Sequence, residues 1–189
     1  MSRSSKFSND LCSELRQKIR THCWVTEWKP IKRSRESVDV VGFPNEGSTP
    51  RYAILVEAEL RRGDPASNII KIWRWWTERK DARDFSCRNV KIAIPRKLLF
   101  FQAFSRVYRL KKRPNMKKKA GDAKFVGELF EKQAYGVKYI YLPFDYHPYK
   151  GAHQGGGARK RAARRLSKMI RAHWRRIQRE KPGNEKKPK

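Results

Sequence analysis

Three carboxylates lie inside two runs of the chain that otherwise read as β-strands. The first run is Ser37-Val38-Asp39-Val40-Val41-Gly42-Phe43, and the second, after a short polar loop, is Arg51-Tyr52-Ala53-Ile54-Leu55-Val56-Glu57-Ala58-Glu59-Leu60. Acids among β-branched neighbours cost stability unless something uses them. If the runs pair as an antiparallel hairpin centred near Gly47 or Ser48, Asp39 falls opposite Glu57 or one residue from it. Strand alternation then puts Glu57 and Glu59 on one face, with Ile54, Val56, Ala58 and Leu60 on the other. Like charges opposed across strands are destabilising, so a divalent cation is the natural compensation. Salt bridges to Arg61, Arg62 and their neighbours are the alternative.

The flanking elements must position these acids. From about Asn9 to Cys23, Leu11, Leu15, Ile19 and Cys23 recur every four residues and predict an amphipathic helix. Glu14 sits at the border of that stripe, where it either looks into a cleft or pairs with Lys18 one turn on. A first strand is expected around Trp28 to Lys32. After the acidic strand, Asp64-Pro65 supplies an N-cap and a proline at the first helical position. The helix is expected to run to about Lys80, with a core stripe of Ile69, Ile72, Trp73 and Trp76. Asn68, Lys71 and Trp75 share a second face, with Trp75 either a stacking residue or the edge of the core. Asn89 to Ile94 reads as a strand closed by Pro95, and Leu98, Phe101, Phe104 or Ser105, and Tyr108 read as a helical stripe. Lys111 to Gly121 reads as a mobile basic loop, Phe125 to Tyr135 as a short helix ended by Gly136, and Val137 to Leu142 as a last strand. Alternating strands and helices argue for an α/β sheet.

The chain has 189 residues, 47 Lys and Arg against 18 Asp and Glu, and a formal charge of +29. That length suits one domain, read as residues 1–150, followed by a basic helical extension over 151–180 beyond the Gly155-Gly156-Gly157 hinge and a disordered tail over 181–189. Residues 151–189 hold 14 Lys and Arg against 2 Glu, which makes this region the strongest candidate for phosphate contacts. The candidate nucleic-acid contacts are Arg61, Arg62, Asn68, Lys117, Lys118, Lys119, Arg159, Arg161, Arg164, Arg165, Arg171 and Arg175. No apolar run approaches the roughly 20 residues that span a bilayer, and the basic residues are spread over several elements, so the expected partner is nucleic acid and not a membrane. Cys12, Cys23 and Cys87 suggest neither a disulfide framework nor a zinc site, and no secretory signal is visible. The expected compartment is the cytoplasm, at the nucleoid if the chain is bacterial.

An Asp in one strand followed by Glu-x-Glu in the next, flanked by helices, resembles the PD-(D/E)XK nuclease superfamily, which includes many restriction endonucleases. The resemblance rests on Val38-Asp39-Val40 and Val56-Glu57-Ala58-Glu59-Leu60, with Glu14 on a preceding helix. It implies a restriction-endonuclease-like mixed sheet and a Mg²⁺- or Mn²⁺-dependent endonuclease hydrolysing DNA. It also implies that Asp39 and Glu57 hold the metal, with Glu14 an outer ligand through water. The family usually has Lys where this chain has Glu59, and no Pro precedes Asp39. In a Glu-x-Glu subset the last Glu serves as base or second ligand, and in other members a basic residue comes from the following helix, a role for which Lys71 is the candidate. The implied catalytic set is Asp39, Glu57, Glu59 and Lys71. DNA is the implied substrate, with RNA as the alternative, and cutting both strands of a duplex would favour a homodimer. The competing readings are a non-catalytic RNA or nucleoid binder and a nuclease subunit active only within a larger mobile-element or defence assembly.

Overall fold

Strand alternation in the acidic region builds one mixed sheet with a helical layer on each face. The structure, a computed structural model, describes residues 3–29, 36–47, 51–60, 63–78, 85–87, 90–92, 95–109, 114–146 and 156–180. The order is α1 (Arg3–Lys18), β1 (His22–Trp28), β2 (Val38–Pro44), β3 (Tyr52–Glu59), α2 (Pro65–Thr77), β4 (Phe85–Cys87), β5 (Val90–Ile92), β6 (Lys97–Phe104), a 3-10 turn over Arg106–Arg109, α3 (Pro114–Gln133), β7 (Val137–Pro143) and α4 (Gly157–Arg179). Five strands form the sheet in the order β1-β2-β3-β6-β7, and β4 and β5 pair in a separate ribbon. β1, β2 and β3 are antiparallel neighbours, whereas β3, β6 and β7 run parallel.

The two faces of β3 divide the core. Ile54, Val56, Ala58 and Leu60 pack with Phe7, Leu11 and Leu15 of α1 and with Leu166, Ile170 and Trp174 of α4. Ala53 and Leu55 pack on the other side with Ile69, Ile72 and Trp75 of α2 and with Ala123 and Phe130 of α3. Glu57 and Glu59, in phase with Ala53 and Leu55, therefore face the α2/α3 layer. α4 belongs to the domain core: Ala162, Ala163, Leu166, Ile170, Trp174 and Ile177 are all buried, so the helix is a layer of the fold and not an extension. Of the expected Gly155-Gly156-Gly157 hinge, Gly156 is the residue before α4 and Gly157 is its first residue, whereas residues 151–155 and the tail at 181–189 lie outside the described residues.

Several expected elements take another form. The first helix ends at Lys18, and His22 and Cys23 already belong to β1, which precedes the expected Trp28–Lys32 strand. The largest change is β6. Its continuous apolar run Leu98-Leu99-Phe100-Phe101 suits a strand buried on both faces between parallel neighbours, a pattern that a helical stripe can imitate. From Pro114 on the basic run is helical, because Pro114 opens α3 and Lys117, Lys118 and Lys119 occupy its first turns, while residues 111–113 lie outside the described residues. Trp75 is a core residue, edge-on to Trp28 at 5.0 Å and to Trp76 at 5.8 Å. Trp73 is only partly buried and stacks on Phe130 at 5.4 Å. Cys12 is a free buried thiol, but Cys23 is disulfide-bonded, contrary to the expectation from cysteine spacing.

Two aromatic residues fix β1 against the sheet. Trp24 faces Gly42 across the β1–β2 pair, and its indole N–H donates to Ile19 O at 3.0 Å. A Cβ on Gly42 would lie 2.8 Å from the Trp24 ring. His22 is buried against Trp174 at 5.0 Å, with Nε2 3.0 Å from Tyr52 O, and burial lowers its pKa to about 4. Gly42→Ala should destabilise the fold by about 1–3 kcal/mol through overpacking, at about 2–4 °C of melting temperature per kcal/mol. Circular dichroism melts check this, and an unchanged melting temperature would contradict so close a contact.

Candidate metal centre

The register places the acids in a row at one end of the sheet. Val40 faces Val56, Val41 faces Leu55 and Gly42 faces Ile54, so one further step brings Asp39 abreast of Glu57. Asp39 Oδ2 accepts the Ala58 backbone N–H at 2.8 Å, which draws this carboxylate against β3. Glu57 in turn is abreast of Gln102 on β6. Because β3 and β6 are parallel, Glu57, Glu59 and Gln102 all stand toward the carboxyl ends of their strands, where open α/β sheets place their ligand crevices.

α2 begins directly after β3 and brings its polar face over the acids. Asp64 caps it by accepting the Ala66 N–H at 3.1 Å, and Pro65 occupies the first turn. Lys71 Nζ then lies 2.7 Å from Glu57 Oε1, 2.7 Å from Ser37 O and 3.0 Å from Asn68 Oδ1. The Glu57 contact is a buried ion pair, and Lys71 is the partner of Oε1. Asn68 Nδ2 donates to Glu59 Oε1 at 2.8 Å, and so does Gln102 Nε2, also at 2.8 Å. Glu57 and Glu59 are buried, while Asp39 and Lys71 keep part of their surface in solvent and form the opening of the site.

All three carboxyls are held above their ordinary range. Burial pushes Glu57 well up, and the neighbouring Asp39 charge adds to this, with Lys71 pulling the other way. Asp39 is raised by burial against the Ala58 hydrogen bond and the Lys71 charge, and a hydrogen bond shared with Glu57 favours its ionised form. Glu59 is raised by burial, opposed by the hydrogen bonds from Asn68 and Gln102. One ammonium thus serves three carboxylates in a poorly hydrated cleft.

Hard carboxylate oxygens and three acids sharing one ammonium fit a small divalent cation. Among the described residues no group of three or more His, Cys, Asp or Glu side chains is arranged to hold a metal ion. Asp39 and Glu57 are the pair that would hold one, and Mg²⁺ is commonly bound by one or two carboxylates with water in its remaining positions.

The other candidate residues are distributed more widely. Glu14 is not gathered with the acids: on α1, across the sheet, it pairs with Lys18 and with Arg164 of α4, whose Nε lies 3.3 Å from Oε1. These cations take up the carboxylate that the family resemblance would make an outer ligand. Arg159 pairs with Asp10 at 2.6 Å. Arg161, Arg165 and Arg175 are exposed on α4, and Arg171 is partly buried there. Lys117, Lys118 and Lys119 are exposed on α3, on the same side of the sheet as the acids, with Lys119 Nζ 3.5 Å from Gly63 O just past β3. Arg61 and Arg62 lie outside the described residues.

Three further polar residues belong to this region. Gln102 of β6 donates to Glu59 and accepts from the Tyr139 hydroxyl of β7, and a lone Gln in the apolar run of β6 is the signal that marks the first. Glu27 is abreast of Asp39 on β1, adds to the charge around it and adopts a left-handed φ of 51°, with its carboxylate accepting from Ser5 Oγ at 2.6 Å. Comparison with protein-family models, characterised proteins and solved structures found no match to this chain.

The raised carboxyls give a definite pH signature. A carboxyl whose pKa is higher in the folded state stabilises the fold below its unfolded pKa, and that contribution is lost as pH rises through the folded value. His22 works oppositely, and its contribution fades as pH falls from about 6.5 toward 4. It is common to both proteins in a comparison of Glu57→Gln with wild type. The variant should melt higher by about 2 °C or more at pH 8, with the gap shrinking toward pH 5. Calorimetry across that range checks this, and a variant melting lower at pH 8 would mean that the Lys71 pair outweighs the carboxylate repulsion.

Proposed function

We propose that the chain is a Mg²⁺- or Mn²⁺-dependent endonuclease that hydrolyses DNA phosphodiester bonds, with a restriction-endonuclease-like arrangement of its mixed sheet. The observation that carries this reading is the convergence of Asp39 and Glu57 from adjacent strands with the Lys71 ammonium from the next helix. That constellation supplies hard ligands beside a cation of the kind phosphate charge requires. The five-stranded sheet with helices on both faces is compatible with it.

In this reading Asp39 and Glu57 bind the ion, which when present would neutralise phosphate charge and assist activation of the attacking water. Lys71, at the partly open side of the site, offers its ammonium to a phosphate oxygen. The Asp39 and Glu57 carboxyls must lose their protons to serve as ligands, so their raised pKa values make ion binding stronger as pH rises. Lys117, Lys118 and Lys119 of α3 and the ten Lys and Arg of α4, a helix without an acid, supply the positive field that draws a polyanion. The two basic surfaces lie on opposite sheet faces, with α3 on the side of the acids.

A second reading has one observation in its favour: Lys71 already partners Glu57, so the cluster could be a structural ion pair within a non-catalytic nucleic-acid binder. The two diverge in a plasmid-nicking assay. Purified protein should nick supercoiled DNA with Mg²⁺ or Mn²⁺ and stop with chelator, and Asp39→Ala and Glu57→Ala should each lose about a hundredfold or more of the rate while binding DNA as well or better. Cleavage at the wild-type rate in both variants would sink the assignment. Salt-sensitive binding with no metal-dependent cleavage would favour the binder.

A further inference from the structure

Glu59 is the residue whose part in the acidic site is least obvious, because it stands two positions beyond Glu57 on the same face yet has different partners. Its Oε1 accepts two N–H donors, Asn68 Nδ2 and Gln102 Nε2, each at 2.8 Å. A carboxylate oxygen has two lone pairs, so Oε1 has none left for an ion or a water proton. Neither donor is placed freely. Gln102 is fully buried, its Nε2 also donates to Pro65 O at 2.7 Å, and its Oε1 accepts the Tyr139 hydroxyl at 2.9 Å. Turning the Gln102 amide over would set its oxygen against a carboxylate and a carbonyl, so the network fixes the amide's orientation.

The same logic passes to α2. With Asn68 Nδ2 held by Glu59, Asn68 Oδ1 is turned to Lys71, whose Nζ donates to it at 3.0 Å and to Ser37 O at 2.7 Å. The far end of the chain of contacts depends on a glycine: a Cβ on Gly127 of α3 would lie 2.2 Å from Cζ of Tyr139, where the ring now sits. A glutamine inside the apolar strand β6 costs stability unless its amide is satisfied, and here both ends of it are.

We propose that Glu59 is a positioning residue: with Gln102 and Tyr139 it forms a buried relay that, through Asn68, sets the place of the Lys71 ammonium. Its Oε1 is taken up by the Asn68 and Gln102 amides, and Glu59→Gln, which replaces Oε2 by an amide nitrogen, tests whether the other oxygen serves as ligand or base. The positioning role rests on the nuclease reading only for its effect on cleavage, because the relay itself is a property of the fold. The Glu59→Gln side chain keeps an acceptor oxygen for both amides and loses the charge, whereas Glu59→Leu loses both.

Two measurements test the assignment. In plasmid nicking, Glu59→Gln should stay within about tenfold of wild type, with the acid limb of its pH–rate profile and its half-saturating Mg²⁺ unchanged, and Glu59→Leu should fall about a hundredfold or more. Glu59→Gln as inactive as Asp39→Ala, or with the acid limb abolished, would overturn the proposal. The second measurement needs no activity: the ¹⁵N side-chain spectrum of lysine-labelled protein, with the Lys71 ammonium assigned by its loss in Lys71→Arg. The signal should persist in Glu59→Gln and shift or broaden in Tyr139→Phe and Glu59→Leu. A Lys71 signal unmoved in both of the latter would overturn the relay. A wild type that cuts nothing while the Lys71 signal follows this pattern would refute the nuclease reading and leave the relay standing.

Discussion

The site depends on a charge imbalance at one end of the central strands, where the Lys71 ammonium stands among Asp39, Glu57 and Glu59. Two like charges about 4 Å apart at an effective dielectric near 20 repel by about 4 kcal/mol, a sizeable fraction of the total stability of an ordinary domain. Proton uptake is one response, and the raised pKa values of all three acids are its signature. A second cation is the other. The fold can tolerate the imbalance because each carboxylate has some compensation: Asp39 from the Ala58 N–H, Glu57 from Lys71, and Glu59 from two amides.

That arrangement explains the architecture around it. Antiparallel pairing of β2 with β3 brings Asp39 to Glu57 with a short connection, whereas parallel β6 and β7 bring Gln102 and Tyr139 up at the same end of the sheet. The segment linking β3 to β6 contains α2, so the helix that follows the acidic strand lies over it and delivers Asn68 and Lys71. Burial on both faces then makes the local positions rigid: α1 and α4 brace one side through Val56 and Ala58, and α2 and α3 brace the other through Leu55. Interiors at such packing density hold side chains in few rotamers, as a constellation of this kind requires.

How far the sequence exposed this arrangement can be traced residue by residue. The Asp39–Glu57 register was legible because a short hairpin loop limits the possible pairings, and the Asp64-Pro65 cap located the helix carrying Lys71. β6 was hidden because a strand buried on both faces has no alternation, so its side-chain period could be read as helical. A helical period over this run gives Gln102 no link to Glu59. Glu14 lay at the border of its stripe, and only the packing of α4 on α1 supplied the Arg164 that takes it. The same contact turns a helix expected to be an appendage into a layer of the core, because a long run of cations concealed the apolar side of α4.

α4 also shows how a chain with a formal charge of +29 can keep an acidic cleft. Asp10 and Glu14 neutralise two arginines where α4 meets α1, so the inner border of the helix is balanced while Arg161, Arg165, Arg175 and others face solvent. The sheet stands between those charges and Asp39, Glu57 and Glu59, and solvent screens exposed charges beyond a Debye length of about 8 Å at physiological salt. The α4 cations therefore do little to offset the acids, and the compensation must come from within the cleft. Among the described residues the only salt bridge to the three strand acids is the one from Lys71, which is why its position, and the amides that set it, govern what the site can hold.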